Sequence, residues 1–315
     1  MSDHFNLLFN VVNDHHLSVA QFLQPRLTAI DFARLPELCR QELVSVDRQP
    51  VTLHACLKNA SQLSVMLPDH HEDSVDVSWE LLWENSELMA VFKPHNLPVS
   101  RTTRNLYNTL ISLVKRQTRY YDARLLHRLD SETAGILLLA KDAAADRRWK
   151  PRLNQLIQRK LYHAWVDGVP TWQTKQMTCQ LSEKQGSAIR SQVYVVDDTD
   201  VSNRYDYLKP RESSTLFRVL ATHEGQALLQ CQLLTGRKHQ IRAQLSYLGY
   251  PLIGDKIYAH QGRFYLKRID QGLDETDFAI LGAKHHLLQA AALTLDIDGQ
   301  TVEIVLPSTH RLSLL

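Results

Sequence analysis

The chain has 315 residues, an apolar fraction of 44%, and 36 Lys plus Arg against 34 Asp plus Glu, for a formal charge of +2. That length accommodates two domains, or one large domain with an appendage, and the composition supports a packed core and excludes wholesale disorder. No apolar run reaches the roughly 18 residues a membrane span needs, the opening residues lack a signal-peptide pattern, and the four cysteines form no C-x-x-C. The expectation is a cytoplasmic protein with buried free thiols and neither a zinc nor a redox site.

In chain order, Leu17, Ala20 and Leu23 fall at helical spacing, and a second helical stretch covers 29–43, interrupted at Pro36. Short alternating strands follow at 43–46, 51–53 and 63–66, with 47–50 as a turn. The acidic, His-rich segment 68–76 reads as a linker, which gives domains at 1–75 and 76–315. A strand at 88–92 enters a turn at Lys93, and a helix runs through Leu106, Leu110 and Leu113. An apolar strand at 136–140 precedes a helix capped by Asp142, with Trp149, Leu153 and Leu156 on its apolar stripe and a kink expected at Pro151. Strands are expected at 161–166, 189–196, 214–221 and 227–234, with 197–211 as a surface excursion. The histidine pairs His15-His16, His70-His71 and His285-His286 lack partner spacing for a metal, so solvated or capping roles are expected and no metal site is assigned.

Three stretches carry chemistry. In 126–141, Asp130 sits in a short polar loop between apolar segments, Arg128 lies two residues before it, and Gly135 permits close backbone approach where the chain re-enters a sheet. These residues alone fit either a structural Arg–Asp brace or a functional carboxylate. In 234–249, Ile241, Leu245 and Leu248 mark a helical stripe ended by Gly249. Arg237, Lys238, His239 and Arg242 crowd its first turns, where cations oppose the helix dipole unless an anion is near, so a phosphate or carboxylate partner is expected. In 159–168 a strand puts Lys160, Tyr162 and Ala164 on one face. Taken alone Tyr162 reads as a core tyrosine; its ring also suits stacking on a base and its hydroxyl suits proton transfer. Between Arg101 and Lys160 basic residues far outnumber acidic ones, which fits either a face that attracts a polyanion or a solvated surface.

Taken together, H-R-L-D-x-x-T-x-G at 127–135 and T-G-R-x-H-Q-I-R at 235–242 resemble the RluA family of pseudouridine synthases. The segments at 91–98, 253–258 and 287–293 resemble further family motifs, although Gln289 stands where the family commonly has histidine and His95 and Asn96 replace small residues. The resemblance covers residue 79 to the C-terminus. It implies an α+β pseudouridine synthase fold, a mixed and mainly antiparallel sheet flanked by helices, preceded by a small S4-like α+β domain. It also implies isomerisation of uridine in structured ribosomal or transfer RNA by a monomeric enzyme without cofactor or metal, after the target base is flipped from its stack. Asp130 would be the nucleophile or base, Tyr162 would stack on the flipped uracil and join the proton loss at C5, and Arg242 would pair with Asp130. RNA contacts are expected at His127, Arg128, Thr133, Lys160, Arg237, Lys238, His239, Gln240 and Leu288, with Arg128 helping to evict the base. The competing readings are a non-catalytic RNA-binding or ribosome-assembly protein on the same fold, and a small-molecule phosphate enzyme. The latter lacks a glycine-rich phosphate loop.

Overall fold

The computed structural model describes residues 5–12, 16–27, 32–68, 70–196 and 206–312. Residues 29–31 of the second expected helix, His15, and most of the expected excursion at 197–211 lie outside them. The chain divides into two compact units, one of Met1–Ser131 with Leu137–Leu153, the other of Glu132–Ile136 with Asn154–Leu315. The sequence boundary at 75/76 falls inside the first.

The first unit opens with β1 (Phe5–Asn10), α1 (Val19–Leu23), α2 (Leu35–Arg40), β2 (Val44–Val46), β3 (Gln49–Pro50) and β4 (Gln62–Leu67), the strands forming a sheet of order β1-β4-β2-β3. Alternation sends Leu7, Phe9, Leu63 and Val65 to one face, where they bury against Phe22 and Leu23 of α1 and Leu35 and Leu38 of α2. Ser18 and Gln21 close a capping box on α1. Pro36 is in the first turn of α2, where its missing amide is tolerated, and a 3₁₀ turn at Phe32–Arg34 precedes it. The hairpin turn is the pair Asp47-Arg48, at φ 49° and 68°, the doubly positive geometry of a two-residue loop. The partner of β2 is therefore Gln49–Pro50, and the strand expected at 51–53 does not form. Strand β1 was not foreseen.

The expected linker is docked. Glu72 is buried and accepts from the amides of Leu106, Tyr107 and Asn108 at 2.8, 2.7 and 2.8 Å, and His70 packs edge-on against Phe5 and Tyr107. Burial would push the Glu72 carboxyl up, but the bonds from His70 and these amides hold it below the usual carboxylate range. After it come β5 (Glu80–Glu84), β6 (Leu88–Lys93), α3 (Leu110–Gln117), β7 (Arg124–Leu125), β8 (Ala134–Ala140) and α4 (Ala143–Trp149). Thr109 caps α3, leaving Leu106 outside it, and Asp142 caps α4 through the Ala145 amide. At Pro151 the helix breaks into a 3₁₀ turn and α5 (Leu153–Leu156).

The second unit contains β9 (Ile157–Asp167), β10 (Thr174–Ser182), β11 (Tyr194–Val195), β12 (Arg211–His223), β13 (Gln226–Leu233), α6 (Gln240–Tyr247), α7 (Arg263–Asp270), α8 (Glu275–Leu281), β14 (Leu288–Ile297) and β15 (Gln300–Val305). Its sheet runs β11-β10-β12-β13-β9-β14, antiparallel throughout, with β15 on β14. The first residues of β8, Ala134 and Gly135, pair in parallel with Gln289 and Ala290 of β14, so the sheet is mixed and mainly antiparallel, as expected. The strand expected at 189–196 shrinks to two residues. Cysteine 231 is buried, whereas Cys56 is exposed, against expectation.

Candidate active site

Asp130 lies half-buried in the loop between β7 and β8. In the first unit that loop is held from below by Lys93, the last residue of β6, whose six residues are all buried. Its ammonium is fully enclosed and donates to the carbonyls of Pro94, Leu97 and Ser131 at 2.7, 2.9 and 2.8 Å. The Leu97 amide returns a bond to the Ser131 carbonyl, 3.2 Å. A buried ammonium is tolerated only when its donors are satisfied, so Lys93 ties the turn at Pro94 to the residue that follows Asp130. On the other flank His127 Nε2 accepts from the Leu138 amide at 3.1 Å, which commits one nitrogen of a ring expected to face RNA. Arg128 is exposed and, among the described residues, forms no ion pair, so it does not brace Asp130.

The continuation of the loop, Glu132–Ile136, belongs to the second unit. Both carboxylate oxygens of Glu132 accept from Lys256 Nζ at 2.9 Å, and Arg268 adds a contact at 3.3 Å. Burial lowers the Lys256 ammonium's proton affinity, and Glu132 opposes that. Next to it, Thr133 is buried and its hydroxyl meets His286 Nε2 at 2.8 Å. Thr133 is thus committed to the scaffold, and His286 is buried where a solvated or capping role was expected. At Gly135 a Cβ would come within 2.3 Å of the Ala290 carbonyl oxygen. The register then continues sideways, Ala290 opposite Tyr162 on β9 and Tyr162 opposite Cys231 on β13. Tyr162 is only 7% exposed. Lys160, two residues along the same face, is half-buried, its proton affinity lowered by desolvation, and among the described residues it has no hydrogen-bond or ion-pair partner. An ammonium in that state favours an anionic neighbour.

Cations at the start of α6 are answered mostly from within the chain. Arg242, 5% exposed, makes a two-pronged bond to Asp255, Nε to Oδ2 at 2.7 Å and Nη2 to Oδ1 at 3.0 Å. Burial alone would raise the Asp255 carboxyl. The guanidinium and the amides of Ile257 and Tyr258 reverse this and hold it below the carboxylate range. Lys238 pairs with Glu183 at 2.7 Å, and Arg237 Nε donates to the Glu212 carbonyl at 2.9 Å. His239, at φ 54°, meets the Tyr258 hydroxyl at 3.0 Å. Gln240 corrects the expectation of an RNA contact. It is buried, its amide donates to Ser214 and Thr215, and its oxygen accepts from Thr235 and the Arg237 amide. All of its main hydrogen-bonding capacity goes into shaping the turn. Leu288 is likewise buried in β14, opposite Ala164. Gly249 follows α6 at φ 87°, as expected of its position.

Sequence reasoning missed Glu132, Asp255, Lys256, His286 and the function of Lys93. The segment 253–258 carried a signal for two of them: Gly254 has φ 78°, with a Cβ position 2.3 Å from the His285 carbonyl oxygen, and Asp255 follows it directly.

A family model described as RNA pseudouridylate synthase matches residues 87–247, just over half of the chain, including the Asp130 loop, Tyr162 and the start of α6. The chain belongs to the RNA pseudouridylate synthase family. Among its relatives, human pseudouridylate synthase RPUSD2 is 32% identical over 216 residues, 68% of this chain and 37% of that protein. Ribosomal large subunit pseudouridine synthase D of Zymomonas mobilis is 28% identical over 200 residues, 60% of this chain and 58% of that one. The chain thus spans little more than a third of the human relative. The solved human RNA pseudouridylate synthase domain containing 4 shares the fold, with a TM-score of 0.55 at 24% identity, over 73% of this chain and 89% of that chain. Domain containing 1 does so at 0.56 and 20%, over 76% and 86%. The pseudouridine synthase fold and the RluA-type resemblance therefore hold.

Proposed function

We propose that the protein isomerises uridine to pseudouridine in structured RNA, ribosomal RNA before transfer RNA, with Asp130 as the reacting carboxylate. The observation that carries this is the family match across 87–247, which contains H-R-L-D intact in a loop anchored at Ser131 by Lys93 and at Glu132 by Lys256. Anchoring the two residues that follow the carboxylate serves a reaction limited by placement. The uracil must leave C1′, turn, and rejoin through C5 without escaping, so a fixed carboxylate and an aromatic platform suffice. In this reading Tyr162 stacks on the flipped base and its hydroxyl takes part in proton loss at C5. Arg242, its orientation set by Asp255, is the cation that the family resemblance assigns to Asp130. Arg128, exposed and without an ion-pair partner among the described residues, is available to RNA, as is Lys160; Arg237, Lys238 and His239 make peripheral contacts.

Mapping pseudouridine in ribosomal and transfer RNA from cells with the gene, without it, and with Asp130→Asn in its place tests the proposal. One or more sites should vanish in the deletion and stay absent with the variant. Identical maps in all three would remove it. A non-catalytic RNA-binding role predicts sites unchanged by Asp130→Asn.

A further inference from the structure

Helix α6 is held on two sides by different kinds of bond. At about 100° per residue, Gln240 and Gln244 fall on one face and Arg242 roughly opposite them. Arg242 makes the two-pronged bond to Asp255, while the two glutamines face β12. A helix is usually seated on a sheet by apolar side chains, yet this contact is polar. Gln240, Gln244 and Thr215 are 3%, 0% and 0% exposed, so their polar atoms leave water entirely, a cost that only well-made hydrogen bonds offset.

Those bonds form one continuous chain. Gln240 Nε2 donates to the Thr215 hydroxyl at 2.8 Å, and that hydroxyl donates to Gln244 Oε1 at 2.6 Å. Gln240 Nε2 donates as well to the Ser214 carbonyl at 3.0 Å, and Gln244 Nε2 reaches the Ser213 hydroxyl at 3.3 Å and the Met177 carbonyl at 3.4 Å. With Thr235 and the Arg237 amide on Gln240 Oε1, every polar side-chain atom of the three has a partner. Apolar contact is non-directional and tolerates a helix that slides or turns slightly, whereas a satisfied chain of hydrogen bonds does not. One hydroxyl on a strand therefore sets both the axial position and the rotation of α6. With them it sets where the Arg242 guanidinium lies.

We propose that Thr215 and Gln244 are positioning residues for the reaction, fixing α6 so that Arg242 and Asp255 meet in one geometry only. The proposal deepens the isomerase reading and rests on it, because it takes Arg242 to serve the reacting carboxylate. Displacing a reacting group by about 1 Å is enough to cost on the order of 10²-fold in rate. Stability gives the polar seam no such purpose, since replacing both partners of a buried hydrogen bond by apolar groups of the same shape is nearly neutral or stabilising. What the seam adds is a single placement.

The test is steady-state tritium release from 5-tritiated uridine in RNA by the full chain. Thr215→Val together with Gln244→Met removes the hydroxyl and its acceptor at once and keeps their bulk. Gln240 retains the Ser214 carbonyl and the Ser213 hydroxyl retains the Cys179 carbonyl, so neither donor is stranded. This double variant should unfold at the wild-type thermal midpoint or above it and keep KM within about twofold, with kcat lower by about 10–100-fold. Thr215→Ser, which retains the hydroxyl, should keep kcat within about threefold of the wild type. Arg242→Lys should slow the wild type far more than the double variant, in which the guanidinium is already misplaced. Arg242→Lys costing both backgrounds equally would overturn the proposal, as would a fall in kcat matched by a lower thermal midpoint. An active wild type with an equally active double variant would remove this proposal alone. A wild type that releases no tritium from any RNA would remove the isomerase reading with it.

Discussion

Gly135 and Tyr162 show how single positions tie the sheet to the chemistry. Gly135 has φ 114°, and its missing Cβ is the space through which Ala290 approaches. Gly135→Ala should cost about 3–5 kcal/mol of stability, read from urea unfolding, because both the conformation and the gap are lost. A loss below about 1 kcal/mol would mean that β8 and β14 separate easily. Tyr162→Phe keeps the ring and removes the hydroxyl, so turnover should fall by about 10²–10⁴ with RNA affinity kept; near-normal turnover would reduce the side chain to a stacking platform. Asp130 and Tyr162 were legible as candidates because their motifs are local in the chain. Asp255 and Glu132 were not. Their partners, Arg242 and Lys256, stand 13 and 124 residues away, and no periodicity reports a pairing across such a gap. Gln240 misled for the same reason: a polar residue in a basic motif reads as exposed, yet its acceptors lie on β12 and its donors in the turn.

Among the elements, those with a local physical cause followed the sequence. Asp142 starts α4 and Pro151 ends it, and the strand now called β8 was bounded to within two residues of its start. The segment 68–76 did not, because acidic and histidine-rich composition reads as solvated, whereas Glu72 gives the amides before α3 a buried acceptor. Glu72→Ala should cost about 3 kcal/mol and open nearby peptide bonds to limited proteolysis; unchanged cleavage would make the docking incidental. Glu72 and Asp255 both titrate below their ordinary range in the folded protein. Groups depressed in this way contribute stability that is complete above the unfolded-state values of about 4 and lost as pH falls through the folded ones. Urea midpoints should therefore be nearly flat above about pH 5 for these two groups and drop steeply below about 4. Glu72→Gln should start lower and lose less on acidification. A midpoint that rises in acid would contradict the assignment.

At the scale of the whole molecule, the run of basic residues between 101 and 160 turns out to be answered in part from within. Arg104 pairs with Asp73, Arg124 with Asp122, Lys141 with Glu84, Arg148 with Glu87, Lys150 with Asp146 and Arg159 with Glu303. Charge reversal of Arg147 and Arg148 separates the two kinds of cation on α4. Arg147→Glu, at an exposed site, should change only RNA affinity and its salt slope, whereas Arg148→Glu should also destabilise the fold by stranding Glu87. Equal effects on stability would contradict this division of the run. The α+β class and the family were legible over most of the chain because the motif segments are numerous and spaced in order. Which cations face RNA was not, since it depends on acids brought close only by folding. The central claim is that a carboxylate at 130 drives uridine isomerisation. It is tested most directly by tritium release from 5-tritiated uridine in bulk ribosomal and transfer RNA, transcribed or isolated without the modification, by the purified protein and its Asp130→Asn variant. The wild type should release tritium to a plateau set by its target sites, and the variant should bind the same RNA and release none. Equal release by both, or none by either on every RNA supplied, would contradict the account.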